Sequence, residues 1–504
     1  MMGIDERIRE NRDKIKSIYD LASLCYDFLR EKIDNQALFL GKYVAYSHEA
    51  AENNPNIPRL RKFSYEIYQL FLQKDKKYFW NEIVGKTLDE IEFVEEKMES
   101  YGADTYNKAA IAYHLLQAVD LYAEIRDEGS LSAPVNTQYN ENSYVYCCSG
   151  NSMLGEAARK LDFRHKIQNT EIRNEFKCLR ILEKGELGAG MNPPRLVTLY
   201  IDKLDTGRQA VLCGKKLKIV IIPFGQESHV MVEKTQGCLF RVKYIEEHKQ
   251  DAIKRALQML GEAIRKNANI IIFPEYICFP EMQNEIGSYL RKTYSKKPKM
   301  MKSLLLVIAG SGWTEDDNNV SRVYSYSGKM LGEQYKYAPY DGKDEHKNRL
   351  IEQLRNPGKE SIIVKIPGIG SFMTAICRDV SNRDRAEKMA DVFRTDFVMV
   401  SAWSPSLHGG FEKQLGNITE TNMVTSSLVC NCCKAIECTE NLERGVVVTP
   451  CKKGSIVEAE VTMIKSDAAV CQACKGCIFS VLFCFETQNV EKGKIVHRII
   501  QKTF

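Results

Sequence analysis

Three stretches of a 504-residue chain stop an apolar run at a side chain able to do chemistry. "NIIIFPE" (269–275) ends on Glu275, "GEQYKYAPY" (332–340) contains Lys336, and "SFMTAIC" (371–377) ends on Cys377. A strand end is a good place for chemistry, because the sheet fixes the backbone and the following loop exposes the side chain. A thiolate is the attacking form of cysteine, and a thiol with its ordinary pKa of about 8.5 is only slightly ionised at neutral pH. A carboxylate in hydrogen-bond reach can take the thiol proton and return it to a leaving amine, and partial burial would raise its pKa toward that double task. A lysine ammonium, with the backbone N–H that follows the cysteine, can stabilise a tetrahedral oxyanion. No histidine is required.

The elements that position these residues show in the hydrophobic pattern. "LKIVIIPFG" (217–225), "NIIIFPE", "SLLLVIAGSG" (303–312), "SIIVKIP", "SFMTAIC" and "DFVMVSAW" (396–403) are short apolar runs that predict buried strands. Between them, 248–267 carries Ile253, Ala256, Leu257, Leu260 and Ile264 at helical spacing, and 384–394 carries Ala386, Met389, Ala390 and Phe393. Strands alternating with helices predict an α/β domain. Upstream, residues 1–130 read as helical. Thr87 and Glu90 suggest a capping box opening a helix over 87–98, 106–125 is rich in helix formers, 129–152 reads as loop and 153–183 as a further helical patch. "KGELGAGMNPP" (184–194) is the strongest boundary signal. The expected organisation is a helical domain at 1–185, a linker or boundary segment at 186–215, and an α/β domain at 216–504.

In this order, "NIIIFPEY", "GEQYKYAPY" and "MTAICRDV" resemble the carbon–nitrogen hydrolase (nitrilase) superfamily. The flanks agree: "YSYSGKMLGEQYK" is similar to the hairpin leading into the family lysine, "DFVMVSAWSPS" to the strand after the cysteine helix, and "TNMVTSSLVCNCCKAI" to a helix followed by an Asn-containing strand. The likeness spans roughly 216–490. It implies a four-layer αββα sandwich, preceded here by a mainly α-helical N-terminal domain that resembles nothing recognised. It implies Glu275 as general base and acid, Lys336 as oxyanion stabiliser and Cys377 as nucleophile. A second glutamate usually follows the lysine by eight or nine positions, and Glu345 is the best match. Arg378, through its backbone N–H, Trp403 and Tyr276 are expected around the substrate. The chain departs from the pattern at Arg378, where the family commonly has an aromatic or small residue, and in "VSNRDRAE" after the acid. The separation of Lys336 from Cys377 suggests an insertion within 341–360.

The implied activity is hydrolysis of a non-peptide carbon–nitrogen bond through a cysteine thioester, on an amide or carbamoyl group rather than a nitrile, without a cofactor. The helical domain reads first as a packing or oligomerisation domain, and second as a recognition or regulatory module that governs the hydrolase. The alternative is a nitrilase fold kept as a binding or assembly module, with the N-terminal domain as its sensor. By resemblance a homo-oligomer is expected.

Composition narrows the partners. Net charge is +5, with 18 Lys+Arg against 25 Asp+Glu in 1–150 and 41 against 33 in 216–504, so no concentrated basic face marks a nucleic-acid binder. No apolar run reaches the roughly 18 residues of a membrane span. The charged start "MMGIDERIRE" argues against a signal peptide, and 17 cysteines then read as reduced thiols in the cytoplasm. Nine cysteines lie between 430 and 484, and Cys471, Cys474 and Cys477 have CxxCxxC spacing. Thiolates so spaced can grip a metal, but a second clean pair is missing. The plainer expectation is small buried residues of strands and their hairpin.

Overall fold

The structure is a computed structural model. It describes residues 3–39, 56–72, 82–90, 104–126, 143–147, 172–432, 442–466, 477–485 and 496–503, with short gaps inside these ranges. The chain divides into two compact units, whose described residues fall before and after the Gly188–Ala189 junction. That junction lies in the Gly/Pro-rich 184–194 stretch.

The first unit is built around the helix Asp104–Arg126, whose Ala109, Ala110, Ile111, Ala112, Tyr113, Leu115, Leu116, Ala118 and Val119 are all buried. A helix buried on every side needs neighbours all round, and its alanines let them come close. The helices Ile18–Lys32 and Asn56–Leu72 supply two of those neighbours. Two expectations change here. Leu179–Glu183 is a strand (β2), paired antiparallel with Ser143–Cys147 (β1) in the stretch read as loop. Each strand is too short to show a period of its own, and their pairing links segments far apart in sequence. Nor does Thr87 open a helix. It lies inside one that runs over 82–90, where its hydroxyl donates to the Ile83 carbonyl at 2.7 Å, while Glu90 pairs with Arg59.

The second unit holds two seven-stranded sheets. Five strands of the first are β4 (Lys216–Ile221), β7 (Ile270–Ile272), β8 (Leu306–Trp313), β9 (Asn319–Ser325) and β10 (Met330–Tyr335). With β19 (Cys477–Cys484) and β20 (Val496–Thr503) its order is β10-β9-β8-β7-β4-β19-β20. The second contains β3 (Arg195–Thr198), β13 (Ile362–Ile366), β14 (Gly370–Ile376), β15 (Phe397–Ser401), β16 (Ser426–Cys430), β17 (Leu442–Lys453) and β18 (Ile456–Ser466), in the order β18-β17-β16-β15-β14-β13-β3. Strand β3 falls in the segment 186–215 expected to be a linker or boundary. It pairs parallel to β13, and four residues beside a Pro pair are too few to announce a strand.

Side-chain alternation places the layers. Ile219, Ile221, Ile270, Ile272 and Ile308 of the first sheet share one apolar cluster with Val364, Phe372, Phe397, Met399 and Leu428 of the second. Val220, Ile271 and Val307 point the other way, onto Ala256 and Leu260 of the helix Lys249–Arg265 and Met282 and Ile286 of the helix Pro280–Lys296. The helices Arg383–Val392 and Gly410–Asn422 pack on each other, and the latter contacts β16, β17 and β18.

The suspected insertion is a hairpin, β11 (Asp341–Lys343) and β12 (Arg349–Glu352). It joins β6 (Leu239–Tyr244) and β5 (Val230–Lys234) in a four-stranded sheet of order β11-β12-β6-β5. No helix among the described residues is long and apolar enough to cross a membrane.

Candidate active site

Each of the three reactive side chains emerges just past a strand. Glu275 follows β7 by three residues, Lys336 directly follows β10, and Cys377 directly follows β14 and begins the short 3-10 turn Cys377–Ser381. Two of these exits are conformationally unusual: Tyr276 has φ 61° and Cys377 φ 44°. Bulky L-residues seldom adopt positive φ, and the surrounding structure must hold them there.

Lys336 Nζ lies between two buried carboxylates, 2.7 Å from Glu275 Oε1 and 2.6 Å from Glu352 Oε2. The side chains of Glu275 and Glu352 have no solvent exposure and that of Lys336 keeps 1%. Tyr276 donates its hydroxyl to Glu352 Oε1 at 2.8 Å and stands 3.4 Å from Lys336 Nζ. The backbone N–H of Tyr340 donates to Glu352 Oε2 at 2.9 Å, and that of Trp403 donates to Glu275 Oε2 at 3.1 Å. Cys377 is half-buried as a residue, but its thiol is enclosed. It lies 4.0 Å from the Trp403 carbonyl oxygen, and the charges of Glu275 and Lys336 both act on it.

The electrostatics follow from burial. Loss of solvent pushes the Glu275 carboxyl above the usual carboxylate range; Lys336 opposes the rise and the neighbouring Glu352 adds to it. Burial alone would lower the Lys336 pKa, but Glu275 and Glu352 outweigh it and hold the ammonium charged. Burial also raises the Cys377 thiol, with the Glu275 charge adding to the rise and Lys336 opposing it. The resting cysteine is therefore a neutral thiol beside a base.

A second glutamate faces Lys336: Glu352, sixteen residues on in "RLIEQL". Glu345 lies outside the described residues. The β11–β12 hairpin carries the chain away from Lys336 and back, which accounts for the extra spacing. The sequence did hold a signal: Glu352 is flanked by Leu350, Ile351 and Leu354, and a carboxylate in an apolar run needs a buried partner.

Other expected residues fall around this centre. Trp403 packs edge-to-face on Tyr276, with ring centroids 5.1 Å apart. The Arg378 guanidinium donates to the Asp341 carbonyl and lies 6.0 Å from the Tyr340 ring, so its side chain reaches the inserted hairpin. Asn431, just past β16, accepts the Ser404 N–H and donates to the Ser404 and Glu443 carbonyls, fixing the loop that carries Trp403. Cys471 and Cys474 lie outside the described residues, and Cys477 is a fully buried residue of β19. Among the described residues no three His, Cys, Asp or Glu converge to hold a metal ion.

No family model matches the chain, and no curated protein matches it. Solved structures do align with part of it. An amidase from Nesterenkonia sp. is 11% identical with TM-score 0.30, covering 50% of this chain and 91% of its own. A cysteine-to-alanine mutant of the Nesterenkonia AN1 amidase, described as from the nitrilase superfamily, is 10% identical with TM-score 0.29 over 50% of this chain and 91% of its own. A glutamine-dependent NAD+ synthetase from Acinetobacter baumannii is 13% identical with TM-score 0.34, covering 57% of this chain and 48% of its own. Likeness at this level leaves the chemistry to be argued from the residues of this chain.

Proposed function

We propose that this protein hydrolyses a non-peptide carbon–nitrogen bond, of an amide or carbamoyl group, through a thioester on Cys377. The observation that carries the reading is the bridging of Glu275 and Glu352 by Lys336 beside an enclosed thiol. A charged lysine and two carboxylates buried together are costly to build and rarely serve packing alone. The packing of two sheets between helices is compatible with the four-layer sandwich that the sequence resemblance implies.

In this mechanism Glu275 takes the Cys377 proton as sulfur attacks the carbonyl carbon. The oxygen becomes an oxyanion beside Lys336, and the backbone N–H of Arg378 is the second donor. Two of the three ammonium protons face Glu275 and Glu352, and the third, on the Tyr276 hydroxyl at 3.4 Å in the resting site, would turn to the oxyanion. Glu275 then protonates the departing nitrogen, and ammonia or an amine leaves. Water, deprotonated by the same carboxylate, opens the thioester and restores the thiol. Glu352 holds Lys336 charged and in place. Tyr276 and Trp403 form the apolar side of the pocket. Homo-oligomeric assembly and cytoplasmic residence belong to the same proposal.

The test is to offer the full-length protein a panel of small amides and N-carbamoyl compounds with hydroxylamine as acceptor. Hydroxamate or ammonia release is expected, with an acyl adduct on the Cys377 peptide in mass spectra. Cys377→Ala and Cys377→Ser should abolish turnover of any accepted substrate, and full activity in either would overturn these roles. Iodoacetamide separates this reading from a binding module: alkylation of Cys377 that depends on Glu275 and is lost in Glu275→Gln supports the enzyme, and alkylation unchanged by Glu275→Gln supports the module.

A further inference from the structure

Asn319, the first residue of β9, is fully buried and touches both carboxylates of the site. Its Nδ2 donates to Glu275 Oε1 at 2.9 Å and to Glu352 Oε1 at 3.3 Å. Its main-chain carbonyl accepts the Lys336 N–H at 2.9 Å. One residue therefore grips all three members of the buried ion group, the lysine through its backbone and the carboxylates through its side chain. The amide has a single workable orientation, because turning it over would aim Oδ1 at two carboxylates. In the observed orientation both Nδ2 protons are used, and Oδ1 is left buried without a hydrogen-bond partner. A buried acceptor left unsatisfied is a cost, and it is tolerated here beside two anions that need donors.

We propose that Asn319 is a positioning residue for the reaction, a neutral double donor that keeps Glu275 ionised and aimed at the Cys377 sulfur. The inference rests on the hydrolase reading given above. Lys336 alone cannot do this, since it must also direct a proton toward the oxyanion. A second cation in place of the amide would draw Glu275 toward itself and weaken it as a base. An amide donates without adding charge.

A hydrogen bond to the ionised carboxylate lowers its pKa, so its loss must raise that pKa and move the onset of reactivity to higher pH. The test compares Asn319→Leu and Asn319→Ser with the wild type and with Asn318→Ala. Asn318 is the structural control: its side chain accepts the Asn356 N–H and donates to the Asp316 carbonyl, away from the carboxylates. The first readout needs no substrate. It is the rate of iodoacetamide alkylation of Cys377 against pH, followed by peptide mass. In Asn319→Leu the profile should shift to higher pH, with Asn319→Ser intermediate and Asn318→Ala unmoved. With a substrate in hand, kcat should fall roughly tenfold to hundredfold in Asn319→Leu with KM little changed, the loss of a hydrogen bond to a charged group. An unmoved alkylation profile in both Asn319 variants, with Cys377 alkylation dependent on Glu275, overturns the role of Asn319 alone. Cys377 alkylation that does not depend on Glu275 in the wild-type background, judged with Glu275→Gln, overturns the hydrolase reading beneath it. Should Asn319→Leu fail to fold, Asn319→Ser carries the comparison.

Discussion

Asp379 and Tyr337 hold each other from both ends. Asp379 Oδ1 accepts the Tyr337 backbone N–H at 3.0 Å, and the Tyr337 hydroxyl donates to the Asp379 carbonyl at 2.7 Å. The same carboxylate accepts the N–H groups of Ala338 at 2.9 Å and Ile376 at 3.1 Å. The segment just past Lys336 is thereby laced to the turn that starts at Cys377, and the distance from ammonium to sulfur becomes a property of this clamp. Arg385 closes the back of it, its guanidinium 3.9 Å from the Tyr337 ring centroid.

Replacing Asp379 should loosen that lacing in a pH-dependent way. Burial raises its pKa from 3.8 to about 7 against the pull of the backbone N–H groups and Lys336. A group whose folded pKa is raised contributes stability that is fully present below its unfolded pKa and is lost as pH rises through the folded one. The stability advantage of the wild type over Asp379→Asn should therefore shrink from about pH 4 to about pH 7. Thermal melts of both proteins across this range check it, and a gap that widens with pH would show the sign to be wrong.

Lys336 is the keystone of the buried ion group, so Lys336→Met should cost more than its apolar volume returns. Removing one partner of a buried charge set typically destabilises by about 3–5 kcal/mol, because the remaining charges stay buried. The double variant Lys336→Met with Glu275→Gln should recover part of the loss. Denaturant titrations of the two single variants and the double variant give the coupling energy, and strict additivity would show that the two groups do not interact.

The two glutamates that follow the lysine have separable fates. Glu352→Gln keeps the shape but removes a charge facing Lys336, and turnover should fall by roughly a hundredfold. Glu345→Ala should leave turnover within about twofold, because Glu352 already faces Lys336 at 2.6 Å. The opposite ranking, from parallel kinetics on one substrate, would reassign the second carboxylate to Glu345.

The acid limb of the kcat/KM profile should lie above the ordinary carboxylate range. In the proposed mechanism Glu275 is a base only when ionised, and burial raises its pKa, so activity should be lost as pH falls through that raised value. Because Glu275 and Glu352 share one lysine, the limb reports the group as a whole. Glu275→Gln should remove the limb together with most of the rate. An unaltered limb would place the titrating group elsewhere.

Much of the site could be read from the chain because its three reactive residues each end a local signal. "IIIFPE", "GEQYK" and "TAIC" pair an apolar strand with an ionisable terminus, and strand and terminus lie within one short window. Glu352 escaped because a hairpin separates it from Lys336, and spacing is informative only while the intervening loop keeps its length. Asn319 escaped for a different reason. An asparagine between a turn and a strand looks like turn chemistry, and its two carboxylate partners are 44 and 33 residues away. In the first unit, β1 and β2 were missed because each strand makes sense only beside the other.

By itself the sequence determined the alternation of strands and helices past the Gly/Pro stretch, the outlets of Glu275, Lys336 and Cys377, and the helical character of Asp104–Arg126. These are consequences of local periodicity and of where an apolar run breaks. Only the tertiary structure decided that Glu352 faces Lys336 at 2.6 Å, that Asn319 bridges the carboxylates, and that Asp379 joins the lysine segment to the cysteine turn. Each of these depends on the register between strands, and a shift of one residue would turn the side chain to the opposite face.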